Sequence, residues 1–247
     1  MGRTIAIILL IAAIFSAKPS RAEQVVAVAV AANFATAMEE VAALFTRETG
    51  IRVQASYSST GKLYAQIKHG APYDLFLAAD EERPQLLHEA KLAEVPVIYA
   101  SGRTVLWSGR PDLVEETDWQ AVLARQDVKR VALPTPEIAP YGQAAFQAMA
   151  TAGIWELVKP RLVYAQNVAQ AFQYGEKRAV DVCFTALSYA RSQSGQAGRV
   201  WEIETAPAVV QKGCVLTRAA NRAAARRLLD FLGASPAKAI LATHGYR

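Results

Sequence analysis

Apolar runs rich in valine and isoleucine alternate with stretches whose apolar positions recur every three or four residues, and this alternation organises most of the chain. Residues 24–31 (QVVAVAVA) read as a buried strand. Phe34, Met38, Val41 and Phe45 then step by four, three and four, marking one face of a helix that Gly50 ends. A second strand is expected over 51–57, and Leu63 and Ile67 mark a short helix that stops at Gly70. A third strand over 75–78 and a third helix over 81–90 continue the rhythm. Strand and helix in strict alternation predict a mainly parallel sheet with helices on both faces.

Between residues 95 and 108 the rhythm loosens, and then it resumes. Helical patterns fall at 117–126, 143–152 and 168–174, and extended ones at 130–133, 162–165 and 181–185. A further strand is expected over 209–217, with terminal helices over 219–232 and 236–243. Two runs of βα units predict two α/β lobes. No repeat, low-complexity tract or flexible linker separates them, so the lobes are expected to be closely joined. Ligands of such sheets bind outside the carboxyl ends of strands or in a cleft between lobes.

The first 22 residues change the picture, because they read as an address rather than as fold. Arg3 precedes a short apolar run over 5–15, and Ser20-Arg21-Ala22 supplies small residues for cleavage near Ala22. The run is shorter than the roughly 20 residues that span a bilayer. Export and removal are therefore expected, and with no Cys at the junction a lipid anchor is not. Removal takes Arg3, Lys18 and Arg21 with it, so the formal charge falls from +5 to 5 − 3 = +2. A nearly neutral chain gives no support for nucleic-acid binding, which needs clustered cations on one face. Arg218, Arg222, Arg226 and Arg227 lie on one predicted helix and are read as its solvated face. Cys183 and Cys214 sit in apolar, strand-like surroundings, where buried free thiols are favoured over a disulfide.

Conventional catalysis finds little material in this composition. His69, His88 and His244 each fall near a helical C-terminus, where an imidazole suits the dipole. No Gly-x-Ser-x-Gly elbow, zinc-ligand spacing or phosphate-binding glycine motif is present. Four strand-to-helix junctions carry small polar or amide-presenting residues instead: Ala32-Asn33, Ser58-Ser59-Thr60-Gly61, Ala139-Pro140-Tyr141-Gly142 and Gln166-Asn167-Val168. The first amides of a helix lack internal partners and bind anions without a formal charge. None of the four has an acid in its first turn, unlike the helices starting near Asp80 and Glu115. Taken singly, Asn33 reads equally as an ordinary cap, Ser59 and Thr60 as a turn, and Tyr141 and Val168 as packing residues. Position alone leaves a two-lobed α/β binding protein with an anionic ligand as one reading.

The segments AANFATAMEEVAALFTRETG, YSSTGKLYAQIKHGAPYDLFLAADEERP, PEIAPYGQAA and AQNVAQAF stand in the order and separation of one family. The chain resembles the periplasmic molybdate-binding proteins of ABC uptake systems over nearly its whole length after the leader. The resemblance implies a type II periplasmic binding fold, with lobes dividing as 23–102 plus 208–247 and 103–207. It implies capture of molybdate or tungstate in the periplasm, without catalysis or cofactor, by a monomer that serves a membrane ABC permease and its ATPase. Carried over residue by residue, Asn33 and Thr60 match ligand positions, and Tyr141 and Val168 act through their backbone N–H groups. Ser59 is a further candidate ligand. Ala186 stands where some members place a Tyr hydroxyl, and Ala32 where others have Thr. The alternatives are the same fold holding sulfate, phosphate or an organic acid, and an exported hydrolase using Ser59 or Thr60, for which His69 is the nearest histidine along the chain.

Overall fold

In the computed structural model, which describes residues 24–113 and 115–247, the first apolar run forms β1 (Val25–Ala31). The leader expected over 1–22 lies outside the described residues. After β1 come β2 (Arg52–Ser58), β3 (Leu75–Leu77) and β4 (Val97–Gly102), with α1 (Ala35–Thr49), α2 (Thr60–Lys68) and α3 (Glu82–Glu89) between them. The chain then enters a second sheet through β5 (Thr104–Ser108), β6 (Val131–Pro134), β7 (Leu162–Ala165), β8 (Val182–Ala186) and β9 (Arg199–Glu202). Its helices are α4 (Trp119–Ala124), α5 (Pro140–Thr151), α6 (Trp155–Val158), α7 (Val168–Glu176) and α8 (Leu187–Ala190). It returns to the first sheet as β10 (Val209–Val215) and closes with α9 (Arg222–Leu232) and α10 (Ser235–Thr243).

The strand orders are β2-β1-β3-β10-β4 and β7-β6-β8-β5-β9. β1 pairs in parallel with β2 and β3, whereas β10 is antiparallel to β3 and to β4, so four of the five strands run one way. In the second sheet β5 is the reversed strand, antiparallel to β8 and β9, while β6 is parallel to β7 and β8. This is the mixed, mainly parallel, two-lobed α/β architecture that the alternation predicts.

Each sheet is buried on both faces, which is why its inner strands read as continuous apolar runs rather than alternating ones. Val28, Val30 and Leu75 pack with Met38, Val41 and Phe45 of α1 and Leu228 of α9. Ala29, Phe76 and Cys214 face the other way, onto Leu63 of α2 and Leu87 of α3. α1 stops where Gly50 takes φ +71°, a left-handed cap that donates its N–H to Thr46 O at 2.8 Å.

The loosened stretch at 95–108 is two strands that belong to different sheets. β4 ends at Gly102 and β5 starts at Thr104, so the chain crosses between lobes at Arg103 without a helix to mark the change. Val97 and Ile98 are exposed on an edge strand, which blurs the apolar pattern further. β9, an edge strand of four residues, has no expectation attached to it for the same reason. Arg218 precedes α9 rather than joining its basic face, and Arg222 and Arg226 both pair with Glu94. No helix of the described residues is long and apolar enough to cross a membrane.

Cys183 lies in β8 and Cys214 in β10, in different sheets, and both are free and buried. Burial raises both thiols, that of Cys214 to about 12. A thiol reagent at pH 8 is accordingly expected to label neither cysteine in the folded protein and both in denaturant, with the same Tm with and without reductant. A Tm that falls on reduction would contradict this pairing-free arrangement.

Candidate functional site

Four strand ends deliver four helix starts to one place between the sheets. β1 runs into a 3-10 turn (Ala32–Phe34) and then α1, β2 into α2, β6 through residues 135–139 into α5, and β7 through 166–167 into α7. Asn33, Ser59 and Thr60 from the first lobe and Tyr141 and Val168 from the second line a single cavity there. Ala31, Ala32, Ala79, Ala139, Pro140 and Asn167 complete the wall, which contains no charged side chain. All five residues singled out from the sequence are brought together and buried.

Local chemistry explains why each helix starts where it does. Ser59 caps α2, accepting from Lys62 N at 3.4 Å, so Thr60 is the first helical residue rather than the cap. Asn167 caps α7, accepting from Gln170 N at 3.0 Å, and Pro140 begins α5, where its missing N–H costs nothing. The main-chain N–H groups of Asn33, Thr60, Tyr141 and Val168 find no acceptor among the described residues. Thr60 Oγ1 accepts from Ala79 N at 3.1 Å, which leaves its own hydrogen available to a guest.

Asn33 corrects the reading of it as a helix cap. It lies inside the 3-10 turn, and its side chain makes no capping bond. Instead Nδ2 donates to Gln211 Oε1 at 2.9 Å, Tyr246 Oη at 3.2 Å and Tyr141 Oη at 3.3 Å. Its carbonyl accepts from Tyr246 Oη at 2.6 Å and from Ser188 Oγ at 2.8 Å. Burial holds the hydroxyls of Tyr99 and Tyr141 well above their usual range and that of Tyr246 up to about 12, so all three stay protonated at neutral pH.

The Tyr141 side chain also reaches across the cleft. Its ring leaves α5 of the second lobe and places Oη among Asn33 and Gln211 of the first. Further bonds tie the lobes around the cavity: Tyr189 Oη to Ala32 O at 2.8 Å, Gly61 N to Ile138 O at 3.0 Å, Lys62 Nζ to Gln166 Oε1 at 2.6 Å, and Arg83 Nη2 to Glu137 O at 2.8 Å. The lobes are closed on one another here.

Sequence reasoning did not find Gln211, Tyr99, Tyr246, Ser188 or Gly102. Each lies far along the chain from Asn33 and Tyr141, in β4, α8 or β10 or at the end of the chain, and no local motif marks it. Ala186 packs with Ala31, Tyr141 and Val168 and contributes no donor. His69 Nδ1 contacts Ala65 O at 2.7 Å at the end of α2, and His88 and His244 likewise sit at the ends of α3 and α10; none lines the cavity. A larger groove of about 580 Å³ runs alongside, but Asp80, Glu81, Glu82 and Glu137 line it against Arg83 alone, the wrong balance for an anion.

The family model described as bacterial extracellular solute-binding protein matches residues 26–247. The chain is 36% identical to the molybdate-binding protein ModA of Rhodobacter capsulatus over 235 residues, 93% of this chain and 90% of that one. It is 35% identical to ModA of Azotobacter vinelandii over 226 residues, covering 90% and 89%. The solved periplasmic molybdate-binding protein of Azotobacter vinelandii superposes with a TM-score of 0.85 at 32% identity, covering 90% of this chain and 98% of that one. The sulfate-binding protein SubI of Mycobacterium tuberculosis shares the fold, with a TM-score of 0.79 at 15% identity over 91% and 86% of the two chains. With the match running from the second residue of β1 to the last residue, the chain belongs to the bacterial extracellular solute-binding proteins.

Proposed function

We propose that this chain captures molybdate or tungstate in the periplasm and delivers it to a membrane ABC permease and its ATPase, without catalysing a reaction and without a cofactor. Its lobes, 23–102 plus 208–247 and 103–207, close over the anion. Asn33, Thr60, Tyr141 and Val168 hold it, with Ser59 behind Thr60. The observation that carries this reading is a cavity with no charged side chain, walled by unpartnered helix-start amides from both lobes. Such amides favour a dianion through the helix dipoles and through charge-assisted hydrogen bonds. The relatives named for molybdate support the choice of cargo.

Selectivity follows from a wall that donates and hardly accepts. Hydrogen phosphate carries a proton that would meet a donor, and a buried polar group left unpaired costs about 1–3 kcal/mol. Sulfate lacks the proton but is smaller, so donors placed for a larger tetrahedron are stretched around it. Titration calorimetry with the four anions tests this. Molybdate and tungstate are expected to bind alike, and sulfate and phosphate at least about tenfold more weakly, the effect of roughly 1.4 kcal/mol. Sulfate binding as tight as molybdate would remove the proposed cargo.

A further inference from the structure

The hydrogens in the buried network behind the cavity do not balance when the amides stand as described. Asn33 Nδ2 has two hydrogens and three oxygens within 3.3 Å. Tyr141 Oη meets Asn33 Nδ2 and Gln211 Nε2, each at 3.3 Å, and the acceptor left to its own hydrogen is Tyr246 Oη, which also contacts Asn33 Nδ2. Tyr99 has one hydrogen for two oxygens, Gln211 Oε1 at 3.0 Å and Ala78 O at 3.1 Å. Asn33 Oδ1 has no donor among the described residues, though Asn33 lines the cavity. A bare acceptor on the wall of an anion cavity has the wrong polarity.

Turning both amides by half a rotation leaves the heavy-atom positions in place and exchanges donors for acceptors. Turning one alone sets like against like across 2.9 Å, so the two turn together. Gln211 Nε2 then gives one hydrogen to Asn33 Oδ1 and the other to Tyr99 Oη. Tyr99 gives its hydrogen to the Ala78 carbonyl, Tyr141 to Gln211 Oε1, and Tyr246 to the Asn33 carbonyl. Only the contacts of Tyr246 and Tyr141 with Asn33 Oδ1, 3.2 and 3.3 Å, lack a dedicated hydrogen. Both hydrogens of Asn33 Nδ2 are left over, and they enter the cavity. The Ala78 carbonyl can only accept, and that fixes the direction of the whole chain of bonds.

We infer that Gln211 and Tyr99 are positioning residues that hold the Asn33 amide with its NH₂ turned into the cavity, where it donates to the bound oxyanion. The inference rests on the oxyanion reading above. It makes selectivity for a fully deprotonated guest a property of a network none of whose other side chains needs to touch the anion. Tyr141 belongs to the same network, so its lobe brings the last donor of the set when the cleft closes.

Side-chain NMR of the ¹⁵N-labelled chain tests it, with the Asn33 NH₂ pair assigned by its loss in Asn33→Asp. Saturating molybdate is expected to move both Asn33 protons downfield and slow their exchange with solvent at least about tenfold, while the Gln211 protons stay protected in both states. Tyr99→Phe removes the group that orients Gln211. It is expected to weaken molybdate binding roughly 5- to 30-fold, the effect of losing about 1–2 kcal/mol, and to shrink the Asn33 shift. Asn33 protons that do not move on saturation, or Tyr99→Phe with full affinity and a full shift, overturn the inference. Calorimetry separates the two levels: no heat with molybdate or tungstate sinks the oxyanion reading itself, whereas heat with unmoved Asn33 protons sinks only the orientation of the amides.

Discussion

Thr60→Asp is expected to abolish oxyanion binding, by about a thousandfold or more, while leaving Tm unchanged or raised. The loss follows from charge. Two unit charges 4 Å apart at an effective dielectric near 20 interact by about 4 kcal/mol, close to three decades in affinity, and a dianion doubles the repulsion. The retained stability is the more discriminating half. A buried carboxylate is ordinarily costly, but Thr60 is the first residue of α2, where an acid gains from the dipole by roughly 0.3–1 kcal/mol. The new carboxylate would also accept from Ala79 N, as the hydroxyl does, and from the unpartnered amides of Tyr141 and Val168. It would act as a tethered anion. Thr60→Asn, neutral and of the same shape, serves as the control and should keep far more affinity. Calorimetry and thermal melts on the three proteins decide the matter. A Tm that collapses only in Thr60→Asp means that the amides do not converge, since convergent donors would satisfy the charge.

The helix starts were legible in the sequence because their chemistry is local. A strand of valines followed by small polar residues and an apolar helical period locates each junction, and the missing first-turn acids at Phe34-Ala35-Thr36 and Gly61-Lys62-Leu63 hint at what the junction binds. That all four meet in one cavity follows from topology: in both sheets the junctions follow parallel strands, so they gather at one end. The crossing at Arg103 was not legible, since β4 and β5 abut without a turn signal. The Asn33 network was hidden for another reason. Asn33 meets Gln211 and Tyr246, 178 and 213 residues away, through contacts within the first lobe that form only once the chain has returned to the first sheet as β10. A capping residue and a network residue have the same local sequence, so the cap was the natural reading of Asn33 and the folded chain reassigns it.

The network also decides what a glycine is doing at the crossing. Gly102 ends β4 opposite Val209, and a Cβ there would stand 1.9 Å from Tyr141 Oη and 3.0 Å from Gln211 Nε2. Tyr141 belongs to the other lobe, so this clash arises only when the lobes are together. Gly102→Ala is therefore expected to leave each lobe folded and to weaken molybdate binding by about 10- to 100-fold, within the 1–3 kcal/mol typical of overpacking. The closed state becomes a smaller fraction of the population, and the apparent affinity falls by that fraction. Removing the obstructing hydroxyl should give part of the loss back, although Tyr141 Cζ remains 3.0 Å from the added carbon. In a double-mutant cycle, Gly102→Ala is thus expected to cost distinctly less in a Tyr141→Phe background than in the parent, with a coupling of roughly 0.5–3 kcal/mol. X-ray scattering should show the parent contracting at lower molybdate concentrations than Gly102→Ala. Strictly additive losses would mean that residue 102 acts through its own strand, and the cleft would then close without Tyr141 crossing it.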